Sequence, residues 1–428
     1  MARARLLPIL IALLAGAATA APAHAAPVPG RDYDPHSVLV HYADGRERSV
    51  KVPPDRTVTQ TIATLERRGD VTSARPQWLA HASFIPNDPG RGSGWAAMQW
   101  NLTSPIAGID APTAWDHLNA VGRPGGARVV VAVLDTGVAY RDLGRYKRSP
   151  DLNPKRFRRG YDFVDDDPYP VDENGHGTHV ASTIAETANN GIGLTGVAYG
   201  ATILPVRVLD AEGEGRTTAI AKGIRFAVDR GANVINLSFE FGAGVLGADI
   251  PNVMSALRYA RHKGVLVVGA AGNEEEETVA YPARASMVLA VGATTEHGCR
   301  SNFSNEGAGL DLVAPGGGPD ARIPGDPNCR PGQAKGADIY QMTYRGSSRR
   351  LFGFPSGYVG TSMAAPHVSA TAALVIASGV LGPKPTPDQI TRRLEQTARD
   401  LGVPGPDPHY GAGLVDAGRA TDPAIPVT

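Results

Sequence analysis

Apolar and polar positions follow two different rhythms along this chain. Residues 37–42 (Ser-Val-Leu-Val-His-Tyr) alternate in the manner of a half-buried strand. Residues 57–68 carry Val58, Ile62 and Leu65 at helical spacing, with Asp55 just upstream as a start signal. Residues 74–81 read as a further strand, which predicts a small α+β unit over residues 26–83. The polar Gly/Pro-rich stretch from Pro86 to Gly94 reads as a linker or processing region, or as an ordinary loop. From Ala127 the rhythm changes. Residues 129–134 form an unbroken apolar run, as a strand buried on both faces requires. Further strands are predicted over 202–209, 234–239, 264–270 and 288–293. Helices are predicted over 177–187, 217–230 and 251–262, and a long apolar one over 361–378. This alternation predicts an α/β fold with a mainly parallel central sheet flanked by helices, preceded by the small α+β unit.

At roughly 100–200 residues per domain, the 428 residues suggest two or three units. The 42 basic and 42 acidic side chains cancel, so no net field favours nucleic acid or an anionic membrane. Residues 1–25 read as an export signal: a basic start (Arg3, Arg5), an apolar run over 6–20, and a small-x-small site at Ala23-His24-Ala25. That run falls short of the roughly 20 residues that span a bilayer, which leaves an N-terminal anchor as the lesser alternative. The two cysteines, Cys299 and Cys329, suit a disulfide in an exported protein better than two free thiols.

Three segments place reactive side chains at element boundaries. Asp135, in Val133-Leu-Asp-Thr-Gly137, ends an apolar strand, where α/β proteins build their sites; taken alone, such an Asp is more often a cap. His176 lies between Gly175 and Gly177 at the start of a predicted helix. His176 and His179 can share a helix face, but no Glu or third ligand occupies the slots that a His-Glu-x-x-His zinc site needs. Ser362, in Gly360-Thr-Ser-Met-Ala-Ala-Pro-His367, opens a helix whose free N–H groups and dipole favour an anion beside it; taken alone, it reads as a cap. Together they run in the order Asp…His…Ser. A serine hydroxyl needs a base, and a histidine base needs an acid to hold its tautomer.

These segments resemble the signatures of the subtilisin-like serine proteases. The resemblance extends to Val234-Ile-Asn-Leu-Ser238, Val267-Val-Gly-Ala-Ala-Gly-Asn273, Tyr281-Pro-Ala283, residues 288–293, Asp311-Leu-Val-Ala-Pro-Gly316 and residues 410–415, covering about residues 84–420. It implies a secreted serine endopeptidase with Asp135, His176 and Ser362 as its triad and an acyl-enzyme intermediate. It also implies that Asn273 donates to the oxyanion and that His179 is structural. Ser238, Phe239, Glu240, Gly269, Ala270, Ala271 and Gly272 would line the pocket for the residue before the scissile bond, with Ala280 near its floor.

Further expectations follow from the same resemblance. Residues 26–83 are the propeptide, a transient inhibitor and folding aid, or else a permanent accessory domain; residues 84–428 are the peptidase domain. Structural calcium is the expected cofactor, held by the side chains of Asp88, Asp151 and Asn190 and the carbonyls of Ala188, Ile192 and Leu194. Asp142 rivals Asp151, because an insertion blurs residues 139–149. The acids of residues 162–172 form a second candidate ion site or a plain acidic loop. Partners are protein or peptide substrates and the propeptide, with no nucleic acid or stable membrane association, and the protein is expected to be an extracellular (or periplasmic) monomer. Two departures stand out. Glu240 replaces a usually small residue, and with Glu274–Glu277 it favours a basic substrate residue or forms a solvated charge run. Residues 315–358 form a long insertion that a Cys299–Cys329 bond would staple, shaping the primed side of the cleft. A substrate-free binding scaffold would lack a triad member, and an α/β-hydrolase esterase would show Gly-x-Ser-x-Gly and another order of residues; neither pattern is present.

Overall fold

In a computed structural model of the protein, residues 33–78, 84–91, 94–242, 244–332 and 336–426 are described. The expected export signal (1–25) and residues 79–81 of the second predicted strand lie outside them. The chain divides into two units, Met1–Ala82 and Ser83–Thr428.

The first unit is a three-stranded antiparallel sheet of order β2-β1-β3, formed by β1 (Tyr33–Tyr42), β2 (Glu47–Lys51) and β3 (Val71–Trp78). Helix α1 (Val58–Leu65) packs on it, burying Val58 and Leu65 against Val38, Val40 and Ala74. The helix starts at Thr57, whose hydroxyl accepts from Gln60 N while the Gln60 side chain accepts from Thr57 N, a reciprocal cap. Asp55 is not the cap.

In the second unit the short turns α2 (Trp95–Met98) and α3 (Trp100–Thr103) lead into α4 (Ala111–Ala120). A seven-stranded sheet follows, of order β10-β9-β8-β7-β4-β6-β5, every pair parallel. Its strands are β4 (Val130–Asp135), β5 (Tyr161–Asp162), β6 (Thr202–Arg207), β7 (Val234–Leu237), β8 (Leu266–Ala270), β9 (Leu289–Thr294) and β10 (Leu312–Pro315). The unbroken apolar run of β4 is explained by its two faces. Val131 and Val133 enter one core with α4, α5 (His176–Ala185) and α8 (Thr361–Ser378), while Val130, Ala132 and Leu134 enter another with α6 (Thr217–Asp229) and α7 (Pro251–His262). Helix α8 is buried all round, with small residues that let it lie against β7 through β10. Helices α9 (Pro387–Thr397) and α10 (Ala417–Thr421) close the chain.

The insertion contains a hairpin, β11 (Thr343–Tyr344) with β12 (Phe352–Gly353). Cys299 and Cys329 are joined, their Cα atoms 4.8 Å apart, across 30 positions of sequence. Loop-closure entropy for a loop of that length predicts about 3–4 kcal/mol of stabilisation. Replacing both cysteines by alanine is expected to lower the unfolding free energy by about that amount in denaturant titration; an unchanged midpoint would show that the staple restrains nothing in the unfolded chain.

Candidate active site

Strand β4 occupies the interior of the sheet and delivers Asp135 to its carboxyl edge, fully buried. Asp135 Oδ1 lies 2.7 Å from Nδ1 of His176 and accepts from Thr136 N at 2.7 Å. Its Oδ2 is buried without a donor among the described residues. A carboxylate at this distance fixes the proton on Nδ1 and leaves Nε2 as the basic nitrogen. Burial by itself lowers the pKa of His176, but the charge of Asp135 and its hydrogen bond outweigh that and raise it above 6.5. Gly177 lets helix and strand meet, since a Cβ there would come within 2.1 Å of Gly137 O and 3.0 Å of Asp135 Oδ1.

The turn ahead of His176 is organised by Asp172, a residue that sequence reasoning placed only in an acidic cluster. Its fully buried carboxylate accepts from Thr136 Oγ1, Asn174 N, Gly175 N, Thr178 N and Thr178 Oγ1 at 2.6–2.9 Å. One acid therefore ties the residue after Asp135 to both sides of His176. The signal was present in the sequence as Asp-x-Asn, a turn-forming pattern in which the carboxylate accepts from the backbone N–H groups that follow it. Part of the rest of the cluster is paired within the chain. Arg207, itself buried, reaches Asp162 at 2.8 Å, Asp165 at 2.6 Å and Glu173 at 2.9 Å. One guanidinium offsets only part of the charge of these three acids.

His179 is buried. Its Nε2 donates to Ile339 O at 2.9 Å, its ring stacks on Tyr358 at 4.1 Å, and burial drives its pKa down to about 3. It is a neutral interior residue. Both partners come from the insertion, which also bonds Thr343 Oγ1 to Gly175 O, Tyr344 OH to Asp172 O and Arg349 Nε to Glu173 O. The insertion therefore grips the segment that carries His176, a role its composition did not reveal.

Ser362 sits in the first turn of α8, and α8 packs on α5. Pro366 lies four residues on and has no N–H to give the Ser362 carbonyl. That carbonyl accepts instead from Ser238 Oγ at 2.8 Å. Ser238 Oγ accepts from Asn236 Nδ2, and Asn236 Oδ1 from Ser369 Oγ, both at 2.8 Å. The relay fixes the first turn of α8 to β7.

Asn273 is held at both ends. Its Oδ1 accepts from Thr361 N (2.8 Å) and Thr361 Oγ1 (3.1 Å), and its Nδ2 donates to Glu240 Oε1 at 2.9 Å. Burial raises the pKa of Glu240, the hydrogen bond to Asn273 opposes this, and the charge of Glu274 adds to it. Glu275, Glu276 and Glu277 are exposed, a solvated run apart from Glu240. Of the other pocket candidates, Gly269, Ala270, Ala271, Gly272 and Ala280 are buried around β8, and Phe239 enters the core beside α7.

Of the residues expected to hold calcium, Asp88, Asp151 and Asn190 lie together. Asp151 is buried and accepts from Asn190 Nδ2 (2.7 Å) and Leu194 N (3.0 Å). Asp88 accepts from Asn189 N and Asn190 N. Asp142 is exposed and bonded to Lys147 and Arg148 N, so it is Asp151 that faces the 188–194 loop. Glu186, absent from the sequence reading, is wholly buried beside Asp151, and its Oε1 accepts from Met342 N at 3.1 Å. Among the described residues, no three His, Cys, Asp or Glu side chains form a metal-binding group.

Comparison with known proteins gives a consistent result. The subtilase family (peptidase S8) matches residues 126–413. Subtilisin BL of Lederbergia lenta is 40% identical over 298 residues, covering 69% of this chain and 91% of its own. The thermophilic serine proteinase of Bacillus sp. strain AK1 is 35% identical over 356 residues, 83% of this chain and 74% of its own. A solved protease structure from Pseudoalteromonas arctica PAMC 21717 aligns with a TM-score of 0.63 at 32% identity, covering 80% of this chain and all of that one.

Because burial alone depresses the imidazole, Asp135→Asn is expected to bring the pKa of His176 below 6.5, read from its ring resonances in an NMR pH titration. A variant that still titrates above 6.5 would show that another group supplies the positive shift.

Proposed function

The chain belongs to the subtilase family and is a subtilisin-like serine endopeptidase, and we propose that it cleaves peptide bonds with Ser362 as nucleophile, His176 as base and Asp135 as the group that holds the base. The observation that carries this reading is the 2.7 Å contact between Asp135 and His176, which leaves Nε2 free to take a proton. The Ser362 hydroxyl attacks the substrate carbonyl and gives its proton to Nε2, so that a C–O bond forms and the carbonyl pair moves onto oxygen. Asn273 Nδ2 and the Ser362 N–H, which has no intrahelical acceptor in the first turn, receive that oxyanion. Collapse breaks the C–N bond as His176 returns the proton to the amine. Water then repeats the sequence on the acyl-enzyme. Removing one oxyanion donor from such a site costs about 10²–10³ in turnover.

The remaining assignments have the same standing. Residues 26–83 act as a propeptide that inhibits and is then removed, and residues 1–25 direct export of a monomer that acts outside the cell or in the periplasm. Gly269–Gly272, Ala280 and Ser238–Glu240 form the pocket for the residue before the scissile bond. Calcium would be held by Asp88, Asp151, Asn190 and the carbonyls of Ala188, Ile192 and Leu194. The fit is supported by two neighbouring buried acids, Asp151 and Glu186, both pushed up by burial. A hard cation with oxygen ligands offsets such charge.

A fluorophosphonate probe is expected to label wild-type protein on a shortened band and to leave Ser362→Ala unlabelled at full length. Equal labelling of the two proteins would remove Ser362 from the mechanism. Chelation with EDTA is expected to lower the melting temperature by roughly 5–10 °C. A melting point indifferent to EDTA and to added calcium would count against the cation.

A further inference from the structure

Glu240 lies three residues beyond the end of β7, between two anchors. Ser238 Oγ donates to Ser362 O at 2.8 Å, and Phe241 N donates to Tyr281 O at 2.7 Å. The segment cannot drift away from the nucleophile, and the half-buried Glu240 side chain bonds to Asn273 Nδ2 at 2.9 Å. Thr361 occupies the other end of that amide with two hydrogen bonds, so the amide cannot flip.

An oxyanion at Ser362 would draw on the same NH2 group. The carboxylate and the oxyanion then become neighbours on one nitrogen, and their repulsion opposes the charge that must develop there. The charged groups facing Glu240 do not relieve this. Glu274 is an acid, and His176 has Asp135 as its own counter-ion. Burial holds the Glu240 carboxyl above its ordinary range, a sign that the described residues place no permanent cation at the site.

The missing cation can come from the substrate. The residue whose carbonyl accepts from Asn273 carries its side chain one bond away from that carbonyl, within reach of a group bonded to the same amide. We propose that Glu240 selects peptides with a cationic residue, arginine above all, immediately before the scissile bond. The guanidinium takes over the Glu240 carboxylate through a two-pronged contact and leaves Asn273 to the oxyanion. Substrate binding and completion of the oxyanion site thereby become one event. This rests on the reading of Ser362 and Asn273 given above.

The test uses two peptides that differ only at that position, arginine against citrulline, its neutral isostere. Each is cleaved by wild-type protein and by Glu240→Gln, which keeps an acceptor for Asn273. Active sites are counted with a fluorophosphonate probe. Wild type is expected to favour arginine by roughly 10- to 100-fold in kcat/KM. Glu240→Gln is expected to lose that preference and to cleave the citrulline peptide faster than wild type does. Equal rates for the two peptides on probe-labelled wild type, or an arginine preference that survives in Glu240→Gln, overturns the role of Glu240 while leaving Ser362 in place. Failure of the probe to label Ser362 removes the nucleophile, and the proposal with it.

Discussion

A single charge out of reach of water organises this molecule. Asp135 is fully buried, one of its oxygens has no donor among the described residues, and the other is shared by His176 and the Thr136 N–H. A carboxylate so placed is tolerated only if its surroundings are rigid, because every hydrogen bond it loses leaves desolvated charge behind. The rigidity comes from a second buried acid. Asp172 holds Thr136 on one side and the backbone around His176 on the other. The strand end and the helix start are thus fixed by two fully buried acids.

The parallel sheet sets the rest of the geometry. It delivers Asp135, Ser238 and the approach to Asn273 to one edge, from β4, β7 and β8 respectively. Helix α8 brings Ser362 to that edge from behind. The local device is an omission: Pro366 cannot donate, so the carbonyl of Ser362 turns to the sheet for its partner. A residue that would weaken most helices joins this one to β7 through a chain of three polar side chains.

Much of this could be read from the chain. The unbroken apolar run of β4, the Gly-flanked His176 and the helix opening at Ser362 carry their structural meaning locally, and the structure places the predicted elements within a few residues. Helix α9 was missed although Thr386, Pro387 and Gln389 spell a reciprocal cap with proline at the first turn; its polar composition hid it. What could not be read depends on pairing across long separations. Arg207 meeting Asp162, Asp165 and Glu173, the Glu240–Asn273 bond, and Glu186 lying beside Asp151 all join residues that no local pattern connects. The insertion was legible as extra chain, but its grip on the His176 segment was not.

That grip bears on survival as well as geometry. An endopeptidase is surrounded by copies of itself, and chain that can be drawn out into an extended strand is exposed to cleavage by its neighbours. Long Gly/Pro-rich insertions are the usual places for such nicks. Here the segment is moored by the bond between Cys299 and Cys329, by the hairpin of β11 and β12, and by Tyr358 stacked on His179. Peeling it away as substrate would first disturb the segment that carries His176. With His176 as the proposed base, a molecule that yielded this loop would lose its own competence to cut, so damage and inactivation would be coupled in the same stretch of chain.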